Sequence, residues 1–195
     1  MTGVQTCALP ICITNIETTA NCLQAYAEAT GFNPTDPNTD NGTDPTEGLT
    51  YHMNVGLPVG TEGGRRKLDG FFLCSPEHYL PVMFECGGLG LGIRVYANNM
   101  PDDGPPVDVW DYVPGSELKG LHWVIGAKYD KNEKLYHIET WGQSKQWALT
   151  ENFVQNAVDC AYGLASGDWV NGSTGKTPLG LTKQDWSNVM AELKQ

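Results

Sequence analysis

The residue pattern predicts an α+β fold, with a helical first half and an antiparallel sheet in the second. Three observations carry this. Helix start and stop signals cluster before residue 90. From residue 107 onward, apolar and polar residues mostly alternate, the period of strands half-buried in a sheet. The polar run Lys131-Asn132-Glu133-Lys134 joins two such stretches as a hairpin.

Residues 18–30, TTANCLQAYAEAT, predict the first helix. Thr18 or Thr19 caps it, alanine and leucine dominate it, and Gly31 ends it. The stretch to Asp44 is dense in Pro, Asp, Asn and Gly and predicts a loop with a turn at Asn41-Gly42. Residues 45–56 predict a short helix with Leu49, Tyr51 or His52, Met53 and Val55 near its inner face. Residues 63–69 read as a polar turn, and Phe71–Cys74 as a short apolar strand. Ser75-Pro76-Glu77 is a helix start, because serine caps, proline suits the first helical position and an acid follows. That helix runs to Cys86 and stops at Gly87-Gly88. Residues 89–96 predict a glycine-rich strand and 98–106 a long loop.

Residues 107–113 predict a strand before a Pro114-Gly115 turn. In 121–130 the alternation places Leu121, Trp123, Ile125 and Ala127 on one face, and His122 and Val124 on the other. Residues 135–142 form the hairpin's second strand and 145–149 the next. Thr150 with Glu151 starts a helix to about Asp159, and 160–166 give one more strand. Beyond a Gly/Ser-rich linker, Thr182 to Asp185 is a capping box for a final amphipathic helix.

Composition bounds the function. The formal charge of −11 argues against nucleic acid and anionic membrane as partners, because both need a positive footprint. No apolar run reaches the roughly 18 residues that a membrane span needs. Residues 1–11 resemble the translated frame of a short-read sequencing adapter, with a start codon written as Met1 and the adapter's last base opening the codon of Cys12. Residues 1–12 are therefore expected to be an artefact. A secretory signal is the poorer account of them, since they hold no Lys or Arg and Pro10 interrupts their apolar stretch. Cys22, Cys74, Cys86 and Cys160 remain. They form no CxxC pair, so a zinc ribbon or thioredoxin-like motif is not expected. Their apolar neighbours suit buried thiols in a reducing compartment, and two disulfides stay open.

Other patterns carry less. Gly87–Gly92 follows a helix instead of opening one and lacks a Gly-Lys-Ser/Thr end, so nucleotide binding is not expected. His52, His78 and His137 lack metal-ligand spacing. Asp36, Asp40 and Asp44 recur every four residues, but Pro37 breaks the spacing and no closing Glu follows, so a turn-rich loop is expected in place of a calcium site. No metal or cofactor is expected.

The chemistry-bearing pattern is the pair of strands LKGLHWVIGAKYD and LYHIETWG. A histidine at the start of one strand, then a hairpin and a strand ending in Trp-Gly, resembles the papain-like cysteine peptidase superfamily. There the histidine strand typically runs Gly-His-Ala, three apolar residues, Gly-Tyr, and the next strand ends Asn-Ser-Trp-Gly. Here Leu121 separates Gly120 from His122, and the second strand reads Glu139-Thr140-Trp141-Gly142. The upstream helix, Gly-Gly and apolar strand (PVMFECGGLGLGIRVY) agree in order. The stretches 25–43, 87–93, 121–130, 139–153, 161–170 and 177–193 resemble papain-like proteins of bacteriophages and prophages.

The resemblance implies a papain-like domain over 13–170, followed by a linker and C-terminal helix over 171–195. It implies a cysteine thiolate attacking a carbonyl, with His122 as its base, Glu139 in the place of the usual Asn, and Trp141 and Gly142 packing over the histidine. In that family the nucleophile sits on the first helix, upstream of the segment matching 20–43. Cys22 is then not the match, and the chain as written is expected to be an inactive fragment of a peptidase or amidase acting on a peptide or amide substrate. Leu121, Trp123, which is expected to narrow the cleft, and Glu139 depart from the family pattern. They motivate the alternative of a non-enzymatic phage structural or binding protein with a virion or host-protein partner. A cell-wall amidase is the third possibility. The expected location is the host cytoplasm or the virion.

Overall fold

The computed structural model describes residues 19–59, 64–104, 106–140, 147–166, 174–177 and 180–193. The expectations for residues 1–18, Trp141, Gly142 and the linker at 167–173 lie outside the described residues. In chain order the elements are α1 (Thr19–Thr30), α2 (Pro45–Asn54), β1 (Leu57–Val59), β2 (Gly64–Arg66), β3 (Gly70–Leu73), α3 (Tyr79–Cys86) and β4 (Leu89–Tyr96). There follow β5 (Val109–Trp110), β6 (Leu118–Asp130), β7 (Leu135–Glu139), β8 (Trp147–Thr150), α4 (Glu151–Ala157), β9 (Val158–Ala165) and α5 (Lys183–Leu193). The described residues group into two compact units, one of 19–72 and those from Leu164 onward, the other of those in Leu73–Gly163.

The first unit follows its local signals closely. Gly31, at φ +77°, ends α1, and its N–H bonds to the Ala27 carbonyl 2.9 Å away. The Asp44 carboxylate accepts from the N–H groups of Thr46 and Glu47, and Pro45 occupies the first turn of α2. The Thr182–Asp185 capping box forms at the start of α5, with Thr182 N–H and Asp185 N–H bonded reciprocally to the two side chains. Leu49 and His52 are the buried face of α2, whereas Val55 is exposed.

Residues 64–66 are not the expected turn. They form β2, antiparallel to β1, with Leu57 opposite Arg66. A strand reading Gly-Arg-Arg has no apolar alternation to announce it. Its anchor is ionic: the Arg65 guanidinium grips both Glu28 oxygens, at 2.9 and 2.7 Å, and the Gly56 carbonyl at 2.9 Å. The Tyr51 hydroxyl also donates to Glu28. One carboxylate on α1 thus ties together α2 and the hairpin. Gly56 lets β2 pass close by, for at φ +89° a Cβ there would lie 2.6 Å from the Arg66 carbonyl oxygen.

In the second unit the strand order is β9-β4-β6-β7-β8-β5. All pairs within this order are antiparallel except β5, which runs parallel to β8. Residues 107–113 were expected to be a full strand, but only Val109–Trp110 pairs. Its neighbours are held by side chains instead: Asn99 Oδ1 accepts from Asp111 N–H at 3.0 Å, and Asp111 accepts from Thr150 and Asn152. Thr150 caps α4 through Phe153 N–H at 2.9 Å.

The core of this unit lies on one face of the sheet. Leu89, Leu91, Ile93 and Val95 of β4 join Val124, Ile138, Leu149, Phe153 and Trp110 there. The opposite face of β4 carries Gly90 and Gly92, because successive side chains alternate. A Cβ on Gly90 would sit 2.3 Å from the Trp123 ring, and one on Gly92 would sit 2.6 Å from Cys160 Sγ. The glycines therefore make room for an indole and a thiol from the flanking strands.

Two outcomes test this packing. Gly90→Ala is expected to destabilise the chain by about 1–3 kcal/mol in urea denaturation, since the half-buried indole must shift. Gly92→Ala is expected to cost less, because a single sulfur can rotate away; equal costs would contradict the packing. In the first unit, bonds from Tyr51, then Gln24 and Arg65, hold the Glu28 carboxyl down at about 2. Its contribution to stability is then present above the ordinary carboxylate range and is lost as pH falls through about 2. Glu28→Gln should remove that dependence from an acid titration of the melting temperature.

Candidate active site

β6 delivers His122 and the end of β7 delivers its partner. His122 pairs with Ile93 of β4, whose side chain is in the core, so the imidazole points to the core face. It is 8% exposed, although Leu121 beside it is 67% exposed. One hydrogen-bonding group it meets is Thr140: Nε2 lies 2.6 Å from Oγ1, and Thr140 is itself buried.

Glu139 is placed differently from the expectation. In the β6–β7 register it stands opposite Ile125, and its side chain is exposed. Ile125 and His122 have opposite parity on β6, so Glu139 faces away from the imidazole. Thr140 follows Ile138 on the core face and continues its row. The signal was present in LYHIET, where Tyr136, Ile138 and Thr140 form the alternating buried set. Trp141 and Gly142 lie outside the described residues.

Trp123 does not narrow a cleft beside His122. It lies on the other face of the sheet, over Gly90, with its ring centroid 6.0 Å from that of Tyr162. Cys160 is on that face too, since it pairs with Gly92, which pairs with Trp123. No disulfide joins the four described cysteines, Cys22, Cys74, Cys86 and Cys160. Burial, then the charge of Glu77, pushes the Cys74 thiol up to about 11, which keeps it protonated and unreactive at neutral pH.

Burial pushes His122 down to about 4, so its imidazole is neutral at pH 7. A neutral imidazole is a proton acceptor. That is the chemistry this pair can perform. A separate cluster is formed by Asp130, Glu133 and His137 at the β6–β7 hairpin, where potential ligand atoms lie within 4.8 Å of one another. Sequence spacing missed it because the hairpin, not a helix face, brings residues 130 and 137 together. Glu133 is exposed and Lys128 stands opposite His137, so the cluster reads as a solvated turn. No described helix is long and apolar enough to cross a membrane.

Burial holds His52 near 4 as well. Both histidines ordinarily titrate near 6.5, so in mild acid the unfolded chain takes up protons that the fold excludes. Stability present above pH 6.5 should fall as pH drops toward 4, by on the order of 3 kcal/mol per histidine at full effect. Urea midpoints at pH 7 and 4.5 measure this; a His122→Gln chain that keeps the whole slope would contradict it.

Among solved structures, the chain resembles xylellain, a cysteine protease from Xylella fastidiosa, with a TM-score of 0.59 at 14% identity over 75% of this chain and 69% of that one. It also matches the Carica candamarcensis cysteine protease CMS1MS2 in complex with E-64, with a TM-score of 0.43 at 14% identity over 64% of this chain and 69% of that one. No family model and no curated protein matches the sequence. Identity this low speaks for the fold alone, and the chain has the α+β fold of the papain-like cysteine proteases.

Proposed function

We propose that the intact gene encodes a papain-like cysteine hydrolase, a peptidase or amidase of bacteriophage or prophage origin, with His122 as its base. The observation that carries the reading is the buried His122–Thr140 pair on neighbouring strands of a papain-like fold. A buried histidine bonded to a second polar group is half of a nucleophile–base constellation. The nucleophile is a cysteine other than Cys22, Cys74, Cys86 and Cys160, and the chain as written does not turn over. In support, the Cys74 thiol is pushed up to about 11, and Cys160 lies on the sheet face away from His122.

A second reading has one observation in its favour. An imidazole 8% exposed and held neutral is also what a structural histidine looks like, in a papain-like fold used for binding. A thiol-directed affinity probe separates the two. For protein expressed from its genomic reading frame, the hydrolase reading expects one cysteine outside Cys22, Cys74, Cys86 and Cys160 to label, and His122→Ala to abolish that labelling. Labelling indifferent to His122, or none, leaves the binding protein.

A further inference from the structure

We propose that Asn41-Gly42 is a site of spontaneous covalent modification: the Gly42 backbone nitrogen attacks the Asn41 side-chain amide, and the asparagine becomes aspartate or isoaspartate in the folded chain. The inference stands apart from the hydrolase reading, since it needs neither a nucleophilic cysteine nor His122.

Three observations converge on it. Asn41 is exposed in the loop between α1 and α2, and among the described residues its side-chain amide makes one long bond, 3.4 Å from Nδ2 to the Thr39 carbonyl. The Gly42 N–H, the group that must lose its proton, bonds to no group among the described residues. Gly42 stands at φ +68°, and a Cβ there would meet nothing within 4 Å. The glycine thus has both the room and the backbone freedom to bring its nitrogen onto the Asn41 side-chain carbon.

Other exposed loop asparagines are guarded. Asn33 precedes Pro34, which has no N–H to lose. The N–H after Asn38 belongs to Thr39 and is held by the Asp36 carbonyl at 3.1 Å. The N–H after Asn132 belongs to Glu133 and is held by the Asp130 carboxylate at 3.1 Å.

The bonds balance with water as the single co-reactant. Gly42 nitrogen gives its proton to hydroxide as it bonds to Asn41 Cγ, and Nδ2 takes a proton from water and leaves as ammonia, closing a succinimide ring. Water then adds to one of the two ring carbonyls. Opening at Cγ leaves aspartate. Opening at the Asn41 backbone carbonyl leaves isoaspartate, with the main chain rerouted through Cβ and Cγ.

The position gives this change a structural consequence. Asp40 accepts from the Tyr26 hydroxyl of α1, and Asp44 caps α2 through the N–H groups of Thr46 and Glu47. The new carboxylate arises between these two acids, and isoaspartate adds a methylene to the backbone that spans them. Like charge and extra chain both loosen the tie between α1 and α2.

The test is ageing of the purified chain in warm, mildly alkaline buffer. Peptide mapping with mass detection scores each asparagine separately, including Asn171-Gly172, which lies outside the described residues. Asn41 should gain the mass of OH in place of NH2, faster as pH rises and nearly as fast in the native chain as in urea. Asn38 and Asn132 should stay amides over the same period. The aged parent should unfold at lower urea than the fresh one, and Asn41→Gln should keep its midpoint. A native chain in which Asn41 stays an amide while the urea-unfolded chain converts overturns the proposal. So does conversion at Asn38 or Asn132 that matches Asn41. Neither readout depends on a variant folding. A converted chain whose urea midpoint does not move sinks the loosening of α1 from α2.

Discussion

The register between β4 and β6 is the constraint on which the second unit depends. Leu89 opposite Gly126 and Ile93 opposite His122 are parts of one ladder, and that ladder sets the face of every side chain on β6. A slip of one residue would turn Val124 and His122 away from the core and carry Trp123 into it. The glycines on β4 hold the register in place. Gly90 is the bare spot on which the Trp123 ring rests, and Gly92 is the one filled by the Cys160 sulfur. One face of the strand is thus locked by interdigitated aliphatic chains and the other by an indole over backbone. β7 inherits its facing from β6 through a bulge at Ala127, where Gly126 pairs Ile138 and Lys128 pairs His137.

The polar chemistry of the two units is handled in opposite ways. In the first, charges meet in the open: Arg65 and Glu28 are each about a third exposed, and their pairing matters because it joins three elements, not because a surface ion pair is strong. In the second, the polar pair is buried and neutral. Removing an imidazole from water is costly unless its nitrogens find partners, and Thr140 supplies one without importing a charge that would itself need a partner. The same logic keeps Cys74 a thiol and not a thiolate.

Local signals in the chain were enough wherever the physics is local. Asp44, Thr150 and Thr182 cap their helices through bonds spanning two or three residues, and Gly31 and Gly87 end theirs by adopting positive φ. The alternation in 121–130 was also legible, down to His122 and Val124 sharing a face. The β1–β2 hairpin was not legible, because Gly64-Arg65-Arg66 carries no apolar period and its anchor, Glu28, comes from a helix far back in the chain. Nor was the shortness of β5: Asn99 and Asp111 satisfy that backbone from outside a ladder.

The amino-acid sequence by itself determined the α+β class, the caps at Thr150 and Thr182, the glycine strand and the histidine worth attention, since all of these follow from neighbours a few residues apart. Only the tertiary structure decided which group answers that histidine. Glu139 and Thr140 are adjacent in sequence, and both offer an oxygen. They point to opposite faces of β7, and which face meets His122 depends on a pairing register and a bulge between strands. That is a relation across the sheet, and no residue type expresses it.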